Sequence, residues 1–378
     1  MTGAIVVEDV VAPGMDAVNE QFERVTSGDA PEGVSFTVRR HGDVLFSRVA
    51  GRRNDAGDPL THDTLMPVFS GTKGLVAGTI AVLADQGLVR YDAPVAEYWE
   101  PAARWPRLTV AMALSHRAGM PQVDGIAVDA DLYDTEAMLA LLARTDPMVP
   151  MGTRMAYHYI TYGWFAQVII KGATGLSAGE ALRHYVTEPF GIDAMLAVPE
   201  SELARCGMVM KAPDYRTNVF LKPDNPYADR VYASSPLTRS QLPWNERANM
   251  VRELAGGSAR ATADAMAKFY DTMLATDVPH PLLTAAGLRA AWTPRFEDID
   301  FATDRPIVMA MGFERDDSIR SYGPVAPAFG HTGAGGSIHG CWPEHGISFS
   351  FLPRTMRTDQ QDQRGKSLLD ATAQALIG

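Results

Sequence analysis

Cysteine is nearly missing from this chain of 378 residues: only Cys206 and Cys341 occur. Two thiols far apart, neither with a CxxC partner, cannot staple a fold of this size and read as free thiols of a reducing compartment. Long apolar runs are missing as well. No stretch reaches the roughly 18 apolar residues of a membrane span. The first apolar run, Ala4 to Val7, is cut short by Glu8 and Asp9, and the first basic residue is Arg24. A secretory leader needs a basic start and about 7–15 uninterrupted apolar residues, so none is expected and the cytoplasm is the expected compartment. Blocks of Lys and Arg are absent. With 45 acidic against 34 basic residues, the formal net charge is -11. Such a surface repels phosphate backbones and anionic lipid, which argues against nucleic-acid and membrane partners. There is no H-E-x-x-H pattern and no Cys/His cluster, so no metal site is expected, and no cofactor is implied.

What is present is ordinary globular composition, 46% hydrophobic and 21% charged, without repeats or low-complexity linkers. Helical spacing runs through about 13–26 (Met15, Val18, Phe22, Val25). Val34 to Arg40 alternates with period two, His41-Gly42-Asp43 turns, and Val44 to Val49 continues, which predicts a hairpin. A strand-like Leu65 to Phe69 leads into a helix from Ser70 to Gly87, with Gly87 as its C-terminal stop. The middle third mixes helices (136–142, 162–170, 178–185) with Pro- and Gly-rich connections, and a further helix spans about 261–274. Strands are expected at 308–313, 335–341 and 347–351, and a last helix at 367–376. Strands at both ends and helices between predict an α+β fold. One antiparallel sheet, from about 1–65 and 300–378, would stand against a helical lobe from about 75–290 within a single 378-residue domain. The active site would lie between the two.

Three short segments carry chemistry. In Phe69-Ser70-Gly71-Thr72-Lys73-Gly74, Ser70 opens the helix at the positive end of its dipole, and Lys73 lies on the same face one turn on. A serine alcohol is a poor nucleophile until something takes its proton, and an amine can do so once burial lowers its pKa from about 10.4. S-x-x-K also occurs by chance, so its position between a strand and an apolar helix matters. The second segment, Pro150 to Gly163, holds Tyr157 after a Pro/Gly turn, where its hydroxyl could shuttle protons. Tyr159 and Tyr162 are rivals, and packing would explain any of the three. The third, Phe329-Gly330-His331-Thr332-Gly333-Ala334-Gly335-Gly336-Ser337, has glycines dense enough, in an expected edge strand, to let a substrate approach the backbone. It does not read as a nucleotide loop, because no P-loop Lys follows.

In this order the three segments resemble the serine β-lactamase and penicillin-binding-protein superfamily, with its S-x-x-K, Y-x-N and K-T-G or H-T-G motifs. The likeness is greatest to class C β-lactamases and to the esterases of lipolytic family VIII. Leu114-Ser115-His116-Arg117-Ala118-Gly119-Met120-Pro121 resembles the family's L-S-H-x-S-G-x-P segment. Gly87 to Val95 and Glu188 to Ile192 are similar to further landmarks. The resemblance implies Ser70 as acylated nucleophile, Lys73 as proton acceptor and Tyr157 as partner acid/base. It implies an oxyanion hole from the N–H groups of Ser70 and Ala334, with Tyr159, His331, Thr332, Gly333 and Ala334 lining the substrate site. Two departures bear on substrate: Tyr159 stands where β-lactamases have Asn, and His331 where they have Lys. Both weaken a carboxylate-binding site and favour esters; His331 is expected to be mostly uncharged at neutral pH, titrating near 6.5. The Asn of the esterases' end strand is also replaced, near Leu352-Pro353-Arg354. A general-base role for His116 or His158 is disfavoured, because His116 belongs to the structural signature and His158 points away from Tyr157 on an extended segment.

The resemblance therefore implies a carboxylesterase-type serine hydrolase acting on a small-molecule ester. Acyl transfer and D-amino-acid amidase or peptidase activity are its alternatives, and a non-catalytic sensor or scaffold stands further off. The oligomeric state is not readable.

Overall fold

The computed structural model describes the chain except for residues 1–7, 28–32, 127–130, 217–218, 221, 223, 228–230, 232–241 and 359–360. Nine strands form one antiparallel sheet: β1 (Val10–Val11), β2 (Val34–Arg40), β3 (Asp43–Ala50), β4 (Phe296–Ile299), β5 (Pro306–Met309), β6 (Glu314–Arg315), β7 (Phe329–Gly333), β8 (Ser337–Trp342) and β9 (Ile347–Pro353). Their spatial order is β1-β3-β2-β9-β8-β7-β6-β5-β4, so the two chain ends meet at the β2–β9 pair. The fold is α+β, a helical lobe packed against one antiparallel sheet.

Both sheet faces are covered, which explains why β2 is buried despite its alternating sequence. Val34, Phe36 and Val38 face the helices α1 (Asp16–Thr26) and α5 (Arg364–Leu376) in one apolar core. On the opposite face Thr37 shares a hydrogen bond with Ser47 at 3.0 Å, and Arg39 pairs with Asp264. Asp264 belongs to α4 (Ala263–Leu274), which packs directly on β2, β8 and β9 although its sequence lies within the interval expected to form the separate helical lobe. Thr37, Ser47 and the Arg39 charge are tolerated there because each has a partner.

The helix that carries the first motif, α2 (Gly71–Asp85), is buried nearly throughout. Glycine costs about 1 kcal/mol in a helix interior, yet Gly71, Gly74 and Gly78 form a stripe along one face of α2. A Cβ at these positions would meet His339 Cδ2 at 2.7 Å, Tyr270 Oη at 2.5 Å and Phe269 Cζ at 2.4 Å. The missing side chains let α2 lie close against the sheet and α4. A second buried helix, α3 (Thr161–Thr174), crosses behind it, and Gly163 admits the backbone of Ala255–Gly256 against its first turn.

Several expected boundaries move. The strand before Ser70 shrinks to Met66–Pro67. The expected strand 308–313 ends at Met309, because Gly312, at φ +86°, turns the chain back so that Ala310 N–H bonds Phe313 O at 2.7 Å. Gly335 and Gly336, at φ +85° and +95°, form the β7–β8 turn rather than the start of a strand. The helix from Ala178 gives way after Leu182 to a π-helical turn, Arg183–Thr187.

Candidate active site

The turn before α2 projects Ser70. Phe69 takes φ +51°, unfavourable for a residue with a side chain, and its ring is held edge-on against Trp244 at 5.0 Å. Gly333 packs against this turn: a Cβ there would stand 2.5 Å from Val68 O and 3.1 Å from Phe69 Cβ. The Ser70 turn and β7 therefore touch.

Lys73 is fully buried and donates from Nζ to Ser70 Oγ at 3.1 Å, Tyr159 O at 3.0 Å and Gly256 O at 2.6 Å. Burial pulls its pKa from 10.5 down to about 7, with the Glu314 carboxylate opposing that fall. A neutral amine keeps two N–H bonds to the two carbonyls and turns its lone pair to Ser70. Gly256 had not been singled out in the sequence; the Gly256-Gly257 pair was its only signal.

Tyr157 is buried, and its phenol hydrogen-bonds with the Ser70 side chain. Its pKa is pushed well above 10, first by burial and then by the Glu314 charge, so the phenol is a proton donor in the resting site. Three contacts fix it. Asp300 Oδ2 accepts from Tyr157 N at 2.9 Å, the His116 ring lies 4.6 Å away, and the Lys73 amine sits 5.0 Å from the ring centre. The rivals occupy other places. Tyr159 offers Lys73 its backbone carbonyl and packs its ring edge-on against Tyr157 at 4.8 Å. Tyr162 is buried beneath, donating to Lys73 O at 3.3 Å.

Neither histidine beside Tyr157 bonds to Ser70. His116 Nδ1 accepts from His158 N at 2.9 Å, and burial holds its pKa well below 6.5. His158 turns to the opposite side, accepting at Nε2 from Met120 N at 3.2 Å and bonding through Nδ1 to Ala156 O at 2.5 Å. Burial lowers its pKa to about 4.

The glycine-rich segment departs from expectation in two ways. It is an inner strand, and its glycines mostly serve packing: Gly330 and Gly340 make room for the Tyr322 ring, and Gly335 for Met356. His331, expected to titrate near 6.5 on the pocket wall, is fully buried with its Cβ against Gly74. Burial lowers its pKa to about 4, more than the Glu314 charge restores, so it is neutral well below pH 6. Its Nδ1 meets Thr332 O at 2.8 Å, which requires the proton on Nδ1. Gly333 and Ala334 follow, and among the described residues neither Ser70 N–H nor Ala334 N–H donates to another backbone group.

Two buried charges were missed, because nothing local in the sequence marks them. Glu314 accepts from Thr332 N (3.0 Å), Thr332 Oγ1 (2.7 Å) and Tyr322 Oη (2.8 Å), and pairs with Arg305 at 3.2 Å. Burial alone would raise the Glu314 pKa, but the Arg305 charge and the two Thr332 hydrogen bonds outweigh it and hold the carboxyl down to about 2. Among the described residues no cluster of His, Cys, Asp and Glu could hold a metal ion, and no helix is long and apolar enough to cross a membrane.

Known proteins share this sequence pattern and fold. The model of the Beta-lactamase family matches residues 8–374. Esterase/beta-lactamase LipL of Mycobacterium tuberculosis is 29% identical over 354 residues, covering 90% of this chain and 81% of LipL. The crystal structure of a penicillin-binding protein homolog from Caulobacter crescentus superposes with a TM-score of 0.87 at 30% identity, covering 98% of this chain and 100% of that one. A family VIII carboxylesterase superposes with a TM-score of 0.88 at 27% identity, with the same coverage.

Proposed function

The chain belongs to the beta-lactamase family of serine hydrolases, and from that premise we propose that it cleaves carboxylic esters through an acyl-enzyme on Ser70. The observation that carries the reading is the buried Lys73 amine, 3.1 Å from Ser70 Oγ with a pKa near the working pH. Neutral Lys73 takes the Ser70 proton as Oγ attacks the ester carbonyl. The resulting ammonium is already matched by the carbonyls of Tyr159 and Gly256. The developing oxyanion takes the N–H groups of Ser70 and Ala334, each worth about 2.7–4 kcal/mol when aimed at such charge. As the C–O bond breaks, the Tyr157 phenol protonates the leaving alkoxide and Lys73 returns the proton to Tyr157. Water then attacks the acyl carbonyl as the Lys73–Tyr157 pair takes its proton; the acyl–Oγ bond breaks, the pair returns that proton to Ser70 Oγ, and the acid leaves.

An ester is favoured over a β-lactam because His331 stands neutral and enclosed where a lactam carboxylate would need a permanent cation. Among the relatives, one solved neighbour is called a family VIII carboxylesterase, which supports the ester reading, whereas LipL is called an esterase/beta-lactamase and favours neither substrate. The test is a panel of p-nitrophenyl esters of increasing acyl length run beside a chromogenic cephalosporin. The reading requires the best ester to exceed the cephalosporin in kcat/KM, and equal values would refute it.

A further inference from the structure

The wall of the site formed by β7 is closed by a side chain rather than by a strand. Strand β6 pairs with β7 only at Phe329 and Gly330. Beyond that point the Thr332 N–H projects to the edge that β6 leaves open, two residues on from Gly330 along the extended strand. Asp316 N bonds Ala328 O on this same edge, which fixes its parity. Glu314 reaches along the edge and takes both the Thr332 N–H and the Thr332 hydroxyl proton on one oxygen, Oε2. The carboxylate is 3% exposed, anchored by Tyr322 below and Arg305 alongside.

This has a chemical consequence for what can dock beside Ser70. With its hydroxyl proton committed to Glu314, Thr332 offers a ligand only the lone pairs of Oγ1. The His331 Nδ1–H is committed to Thr332 O, and its Nε2, an acceptor in that tautomer, is buried without a partner. The guanidinium of Arg305 is offset by Glu314. Of these two residues only Thr332 reaches the surface of the site, and it presents an acceptor and no free donor.

We propose that Glu314 is a specificity-determining positioning residue, which makes the β7 wall select substrates carrying a hydrogen-bond donor, above all an ammonium group, and reject carboxylates. This rests on the reading of Ser70 as nucleophile and names the substrate class of that same site: esters with a cationic or otherwise N–H- or O–H-bearing substituent.

The test uses reversible serine-directed inhibitors of one shape: phenylboronic acid, its 3-carboxy derivative and its 3-aminomethyl derivative. They compete against a neutral p-nitrophenyl ester in about 0.5 M salt, which screens the overall acidity of the chain. The wild type should bind the aminomethyl compound at least about tenfold more tightly than the carboxy compound, the scale of one charge-assisted hydrogen bond. Glu314→Gln removes the charge and turns one acceptor oxygen into a donor, so that ratio should fall about tenfold. Thr332→Val should weaken the aminomethyl compound selectively. Should Glu314→Gln fail to fold, the wild-type ratio and Thr332→Val still decide. The proposal is overturned if the wild type binds the carboxy compound as tightly as the aminomethyl one, or if folded Glu314→Gln keeps the wild-type ratio. If phenylboronic acid does not inhibit and a fluorophosphonate does not label Ser70, the nucleophile reading itself has failed, which is a different result.

Discussion

Lys73 provides the sharpest quantitative test, because one buried amine should govern both the rate and the stability of the protein across the same pH window. Its pKa falls from 10.5 to about 7 on burial, a cost on the order of 5 kcal/mol at about 1.36 kcal/mol for each factor of ten. Only the neutral amine can accept the Ser70 proton. For an uncharged ester, kcat/KM should be level above about pH 8 and fall about tenfold per pH unit below 7. Competing groups stand clear of this window: His158 and His331 titrate near 4, Glu314 near 2, and Tyr157 well above 10.

The stability consequence follows from proton linkage. Between about pH 7 and 10.5 the unfolded chain holds the Lys73 proton and the folded chain does not, so wild-type stability should rise with pH. Below pH 7 the full cost of the buried charge is present; above 10.5 it has gone. Lys73→Met removes this dependence while leaving the carbonyls of Tyr159 and Gly256 unpaired, a penalty that does not vary with pH. The informative quantity is therefore the slope. The stability of the variant minus that of the wild type should fall by about 3 kcal/mol between pH 7 and 9.5, measured by urea unfolding at each pH. A difference that is flat over this range, or a rate that holds level down to pH 5, would refute the assignment of Lys73 as a base poised by burial.

Ser70→Ala should remove at least a thousandfold of the activity and all fluorophosphonate labelling while leaving the fold intact by circular dichroism. Tyr157→Phe should lower kcat by about 10²–10⁴ with less effect on KM; Tyr162→Phe, which loses only a bond to Lys73 O, should cost stability more than rate in the same kinetic and thermal assays. Gly330→Ala would set a Cβ 2.1 Å from His339 O and 2.8 Å from the Tyr322 ring, so a fall in Tm or insoluble expression is expected. His331→Lys should raise cephalosporin hydrolysis relative to ester hydrolysis, and an unchanged ratio in paired chromogenic assays would count against the neutral wall.

Much of the fold was legible because the local signals were strong. The β2–β3 hairpin follows from alternation on either side of His41-Gly42, and α1 and α4 follow from apolar spacing. The expectation that both chain ends share one sheet is met by the β2–β9 pair. What alternation cannot report is a polar face buried under another layer. Ser35, Thr37 and Arg39 read as the outward side of β2, yet α4 covers them and supplies Asp264 to Arg39. Likewise, the glycines of α2 can be seen in the sequence but not their partners, since His339, Tyr270 and Phe269 come from elements nearly 200 residues away or more.

At the site, the three motifs could be named from sequence, whereas the electrostatics around them could not. Three tyrosines within six residues offer no local means of choosing among them. The structure separates them by contact: the Tyr157 phenol bonds the Ser70 side chain, Tyr159 gives Lys73 only its backbone carbonyl, and Tyr162 already lies in the first turn of α3. His331 is uncharged at neutral pH as expected, but its titration lies lower than the 6.5 of an isolated histidine, and only packing against α2 and β8 shows how little water reaches it.

The same burial ties the remaining features together. Taking Lys73 out of water favours its neutral form near pH 7, but a second cation at position 331 would act directly on it. With Lys there, two ammonium groups would share one enclosed space, and each would depress the pKa of the other unless a carboxylate intervened. A neutral His331 removes that conflict, while the carboxylate of Glu314 is already neutralised by Arg305 and by its bonds to Thr332 and Tyr322. In this arrangement the pKa of Lys73 is set chiefly by desolvation, with one distant opposing charge. Substrate charge and nucleophile activation are thus linked: a carboxylate drawn close to Lys73 would raise its pKa and hold it protonated, whereas a neutral or cationic ester leaves the base free to act.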